Sequence, residues 1–119
     1  MTKNVTIANL DGPIVCERCV LEDSALRRMR GLLGRKRLDS GQGILIRPAP
    51  AIHTWFMRFA IDAVFLDRNL NVLSVRSELR PWRMASQRGA RAVLELPAGE
   101  AERRDIHPGD RLEVSLGGI

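Results

Sequence analysis

Tyrosine is absent from this 119-residue chain, and aromatic residues of every kind make up only 4% of it. Stacking of nucleic-acid bases on a protein surface needs exposed aromatics, so that class of partner is poorly supplied. Cysteine is limited to Cys16 and Cys19, a C-x-x-C spacing with no second pair to complete a zinc ribbon. The two histidines, His53 and His107, complete no ligand spacing, so no metal is expected. No apolar run approaches the roughly 20 residues that span a bilayer. The opening "MTKNVTIANLDG" lacks the apolar core of an export signal. The expectation is a soluble, cytoplasmic protein without a membrane partner. Serine-elbow, H-E-x-x-H and phosphate-loop patterns are missing as well, and no cofactor is called for.

What is present is an ordinary globular composition, 45% hydrophobic and 28% charged. The length suits one domain over residues 1–119. Net charge is +5, carried largely by arginine, which favours acidic partners only weakly. Short apolar runs alternate with Gly, Pro, Asn and Asp. "NVTIA" and "IVCERCV" read as strands around the turn Asp11–Pro13. On a straight strand the three steps from Cys16 to Cys19 span about 10 Å, too far for a disulfide without a bend.

"EDSALRRMRGLLGR" then reads as the one clear helix, Ser24 to Leu33. Asp23 or Ser24 caps it, and Leu26, Met29 and Leu33 form its apolar face. "GILIR", "IHTWFM", "IDAVFLD", "NVLSVRS", "ARAVLEL" and "RLEVSL" follow as strands. "IDAVFLD" and "NVLSVRS" pair as a hairpin, whose left-handed turn position suits Asn69 better than Leu70. "RPWRMASQRG" is a loop, "PAGEAERRDI" holds a short helical turn, and "HPGD" carries type II turn chemistry. Glu95 is expected at the surface or ion-paired. Seven or eight short strands with one α-helix predict a mainly β, compact barrel or sandwich.

Chemistry concentrates in "AIHTWFMRFAIDAVFLD", residues 51–67, which holds all three phenylalanines and one of the two tryptophans. If Ile52–Met57 is a strand, His53, Trp55 and Met57 share one face, and Thr54, Phe56 and Arg58 the other. A His-Trp-Met wall combines an apolar platform with a polar tip, and Arg58 offers a bidentate fork for a carboxylate or phosphate. Asp62 lies among residues that read as buried. It either pairs with Arg58, accepts backbone N–H groups, or orients His53 as a base. The nucleophile for such a base would be Thr54 or Ser86. Trp82, between Arg80 and Arg83, sits on a loop and either covers the core or lines a site.

"RRMRGLLGR", "IHTWFMRFAIDAVFLD", "VLELPAG" and "HPGDRLEV", in this order and spacing, resemble the family catalogued as domain of unknown function 192. The likeness covers about residues 14–116. It implies a small, mostly bacterial or archaeal protein with a compact β fold of jelly-roll-like character, and no established activity. Two departures stand out. Pro48-Ala49 occupies the place of the family's frequent Pro-Cys, and Ala60 that of its usual proline before Ile-Asp.

The expectation is therefore a non-enzymatic binding module for a small anionic or sugar-like ligand, with His53, Trp55, Met57, Arg58, Asp62 and Trp82 as its ligand-binding residues. The alternatives are a hydrolase-like enzyme using His53 and Asp62, and an accessory protein that binds RNA or an acidic partner through Arg27–Arg37.

Overall fold

The computed structural model describes residues 3–10, 12–22, 38–55 and 57–116. Within them lie β1 (Lys3–Asn9), β2 (Ile14–Glu22), β3 (Gln42–Ile46), β4 (Ala51–His53), β5 (Ile61–Leu66), β6 (Val72–Leu79), β7 (Met84–Ser86), β8 (Ala92–Pro97), α1 (Glu100–Arg103) and β9 (Leu112–Leu116). The expected helix Ser24–Leu33 and the basic run Arg27–Arg37 lie outside the described residues. The expected helical turn in "PAGEAERRDI" is α1. The described strands number nine rather than seven or eight, because the stretch read as a loop around Trp82 contains β7.

Seven strands form one mixed sheet in the order β6-β5-β8-β3-β2-β1-β9, and β4 pairs with β7 as a separate two-stranded ribbon. Every pairing is antiparallel except β2 with β3. The two edges of the large sheet come together at one end, where Asn71 bridges Arg111. There the Val72 N–H donates to Asp110 O at 2.7 Å and the Leu112 N–H to Leu70 O at 2.9 Å. The sheet curls without closing into a true barrel, and the architecture is sandwich-like.

Two apolar clusters explain why the central strands are buried on both faces. Val64, Leu66, Leu94 and Leu96 point into the curl with Val5, Ile7 and Leu112. Ile61, Ala63, Phe65 and Val93 point the other way and are covered by Ile52 and Ala85 of the ribbon. All six residues of β5 and all six of β8 are consequently buried. Glu95, expected at the surface or ion-paired, is not at the surface but fully buried for this reason. Period-two alternation marks an exposed face only where one side of a sheet meets water.

Turns are fixed by carboxylates. Asp67 accepts hydrogen bonds from the N–H groups of Asn69 and Asn71 and from the Asn71 side chain. In the turn that follows β5, the left-handed position falls on Leu70 (φ 65°), not Asn69. Leu70 packs against the main apolar cluster, which offsets a cost of roughly 1–2 kcal/mol for that backbone. Gly109 (φ 95°) takes the left-handed place of the expected type II turn, closed by Asp110 N–H to His107 O at 3.1 Å.

Asp62 is fully buried and joins two distant elements. Its Oδ1 accepts the Glu78 N–H at 2.8 Å, and its Oδ2 accepts the Ala101 N–H at 2.9 Å. Glu78 (φ 53°) sits in a bulge of β6, where the register against β5 slips between Ile61 and Ala63. Asp62→Ala would strand two amide donors. It is expected to cost about 2–4 kcal/mol in urea denaturation, and a cost below about 1 kcal/mol would contradict this role.

Glu100, also fully buried, accepts from the Gly41 N–H and the Ser40 hydroxyl and pairs with Arg103 and Arg104. Burial pushes its carboxyl upward. The hydrogen bonds from Gly41, Arg103 and Ser40, with the nearby Arg104 charge, outweigh that and hold it below the usual carboxylate range. A depressed folded-state pKa gives stability that is present above the unfolded value, about 4.3, and lost as pH falls through the folded one. Denaturation midpoints measured between neutral pH and about pH 3 are expected to fall on acidification. The fall should be shallower in Glu100→Gln, and equal slopes in both proteins would refute the assignment.

Candidate functional site

The chain leaves β4 directly after His53. A strand over Ile52–Met57 was the sequence expectation, but Thr54 ends the ladder and Trp55 lies in a turn. The reason is a clasp around Thr54. Its N–H donates to Arg83 O at 2.8 Å, and its carbonyl accepts the Trp82 N–H at 3.0 Å and the Met57 N–H at 3.2 Å. Its hydroxyl donates to Arg80 O at 2.5 Å and accepts the Arg83 N–H at 2.9 Å. Thr54 itself is fully buried. One small side chain thus ties the end of β4 to the turn entering β7.

That clasp holds two indoles at the surface. Trp82 adopts a left-handed backbone (φ 63°) and leaves 57% of its surface exposed. For a bulky residue this conformation costs roughly 1–2 kcal/mol. Trp55 is 43% exposed and tilts against the half-buried His53, with ring centroids 4.8 Å apart. Met84, paired with His53 across the ribbon, is exposed as well.

Three shallow hollows follow one another from the ribbon to the end of β6. The first, about 240 Å³, is lined by Ile46, Pro48, Ala49, Ile52 and His53. The second, about 220 Å³, shares Ala51 with it and adds Met84, Ser86 and Arg76. The third, about 470 Å³, shares Arg76 and is lined also by Ser77, Glu78, Arg80 and Arg83. Arg76 reaches back to Ser86 O at 3.4 Å. The trough therefore runs from an apolar end beside the imidazole to a cationic end with three guanidinium groups.

Of the sequence candidates, His53 and Trp55 are brought together, and Trp82 is tied to the same clasp. Met57 does not share a wall with them; it is buried in the cluster beneath the ribbon. The turn at Thr54 breaks the alternation that would have aligned it. Arg58 is exposed outside the residues lining the trough. Asp62 is committed to backbone amides rather than to an imidazole, and Thr54 is a sealed structural hydroxyl, so neither takes the role a hydrolase would need. Arg76 and Met84 carry no local signal in the sequence, where Arg80 and Arg83 stand only as neighbours of Trp82. Arg76 aligns with Ala63 in the hairpin register, so the pairing itself carried the signal.

Thr54→Val keeps the shape and removes the hydroxyl. It leaves Arg80 O and the Arg83 N–H without that partner and is expected to destabilise by about 1–3 kcal/mol. Acrylamide should quench tryptophan emission more strongly in the folded variant. Unchanged stability and quenching would show that the clasp does not hold the indoles.

The family model and the curated relatives point to one family. The model of the DUF192 family, described as "Uncharacterized ACR", matches residues 8–114. A UPF0127 protein of Pyrococcus furiosus is 35% identical over 99 residues, 76% of this chain and 81% of that protein. One from Pyrococcus horikoshii is 34% identical over 97 residues, 78% of this chain and 84% of that protein. Among solved structures, a Sinorhizobium meliloti 1021 protein described as a "putative transcription regulator" superposes with TM-score 0.80 at 22% identity, over 96% of this chain and 94% of its own. A Novosphingobium aromaticivorans protein of unknown function superposes with TM-score 0.74 at 24% identity, over 94% of this chain and 84% of its own. Both likenesses speak to fold alone. The family-model match spans nearly the whole chain with the curated relatives alongside it, and the chain belongs to the DUF192 family.

Proposed function

We propose that this protein is a binding module for a small anionic ligand, taken up in the trough along the β4–β7 ribbon. The observation that carries the reading is the lining of the largest of the three hollows: Arg76, Arg80 and Arg83 with a single acidic residue, Glu78. Guanidinium groups are weakly hydrated planar forks that match carboxylate and phosphate oxygens. The tilted His53–Trp55 pair and the exposed Trp82 supply flat faces for the apolar side of a ring, which suits a sugar bearing an acidic group. His53 lines the trough and keeps its proposed place, joined by Arg76, Arg80 and Arg83, with the exposed Trp55 and Trp82 beside these lining residues.

The hydrolase alternative loses its orienting carboxylate, because both oxygens of Asp62 accept backbone N–H groups; of its two candidate nucleophiles Thr54 is buried and Ser86 is exposed. Isothermal titration with a panel of sugar phosphates and sugar acids, read in parallel by tryptophan fluorescence, tests the proposal. A ligand that binds is expected to lose about tenfold or more in affinity to Arg80→Ala/Arg83→Ala, and to weaken as salt rises. Binding that is indifferent to both changes, or no binding across the panel, overturns it.

A further inference from the structure

The C-x-x-C pair does not lie on a straight strand. Val5 of β1 faces Cys19 and Ile7 faces Cys16, with a register shift between them. Two residues of β2, Glu17 and Arg18, thus stand across from Thr6 alone, whose hydroxyl donates to Glu17 O at 3.2 Å. This is a β-bulge. Glu17 and Arg18 both face solvent, while Cys16 and Cys19 are both fully buried in the same apolar cluster. The bulge supplies the bend that a straight strand lacks.

The distance argument changes with it. The two cysteines are opposite residues two apart on β1, positions that strand rise separates by roughly 6.4–6.8 Å instead of the roughly 10 Å of a straight strand. That is the upper edge of the roughly 4.4–6.8 Å that a disulfide spans. Gly43 of the neighbouring strand is packed so closely that a Cβ there would meet Cys16 Sγ at 2.9 Å. The sulfur is thereby walled in on that side.

We infer that Cys16 and Cys19 form a redox-active dithiol, closed to an intrachain disulfide by a small hydroperoxide. The division of labour follows from the hydrogen bond between the two side chains. It holds the Cys16 thiol below its ordinary pKa despite burial, and with burial it pushes Cys19 upward. Cys16, the more readily ionised of the two, is the attacking sulfur and Cys19 the protonated partner. Cys16 Sγ attacks one peroxide oxygen, the O–O bond breaks, and hydroxide leaves to take up a proton. Cys19 Sγ then attacks the resulting sulfenic sulfur. The S–O bond breaks as S–S forms, and the Cys19 proton leaves with the hydroxyl as water. Two thiols and one hydrogen peroxide give one disulfide and two waters.

Trypsin offers a direct reading, because it cuts after Arg18, between the two cysteines. The folded full-length protein is treated with hydrogen peroxide, alkylated in denaturant and digested. The expected result is that Asn4–Arg18 and Cys19–Arg27 stay covalently joined, that both thiols escape alkylation, and that dithiothreitol restores them. Cys16→Ala should lose sensitivity to low peroxide, whereas Cys19→Ala should trap a sulfenic acid that a dimedone probe labels. Separate peptides, thiol loss that dithiothreitol does not reverse, or a disulfide between two chains would each overturn the inference. The wild-type peptide map decides the question even where a variant fails to fold.

Discussion

Burial of the central strands on both faces is the constraint from which the rest follows. With apolar clusters on either side of β5 and β8, no polar group in that layer reaches water, and each must find a protein partner. Asp62 satisfies this by accepting amides from the β6 bulge and from α1. Glu100 does so by gathering Gly41, Ser40 and two arginines. Both carboxylates act as rivets between segments far apart in the chain.

The candidate site is what that packing leaves at the surface. The ribbon must lie flat to cover Phe65 and Val93, so its outward side carries what the core does not need. Thr54 turns the chain and spends its hydrogen-bonding capacity on the segment 80–83. The consequence is a strained, exposed Trp82 and an exposed Trp55 beside a row of arginines. An exposed indole on a costly backbone does little for core stability, which is why this surface is the candidate site.

The same theme recurs in β2. An extra residue in one strand reorients two side chains, so that cysteines which alternation would send to opposite faces share one. Bulges in β2 and β6 each redirect a chemically capable group, a thiol pair in one and a buried carboxylate's amide partner in the other. Backbone irregularity, rather than residue choice alone, places the chemistry.

By itself the sequence determined the β-rich class, the β5–β6 hairpin, the turn at His107–Asp110, the short helical turn and the burial of Asp62. Alternation, Gly-Pro placement and an acid among apolar neighbours are local signals, read within a few residues. It also marked His53, Trp55 and Trp82 as the residues to watch. Tertiary structure alone decided that the strand stops at Thr54, that Met57 turns inward, that Glu95 is sealed, and that Arg76, Arg80 and Arg83 share one hollow. Those outcomes depend on pairing between β4 and β7 and on a second layer of packing. Contacts between residues some thirty positions apart leave no periodic trace in the chain.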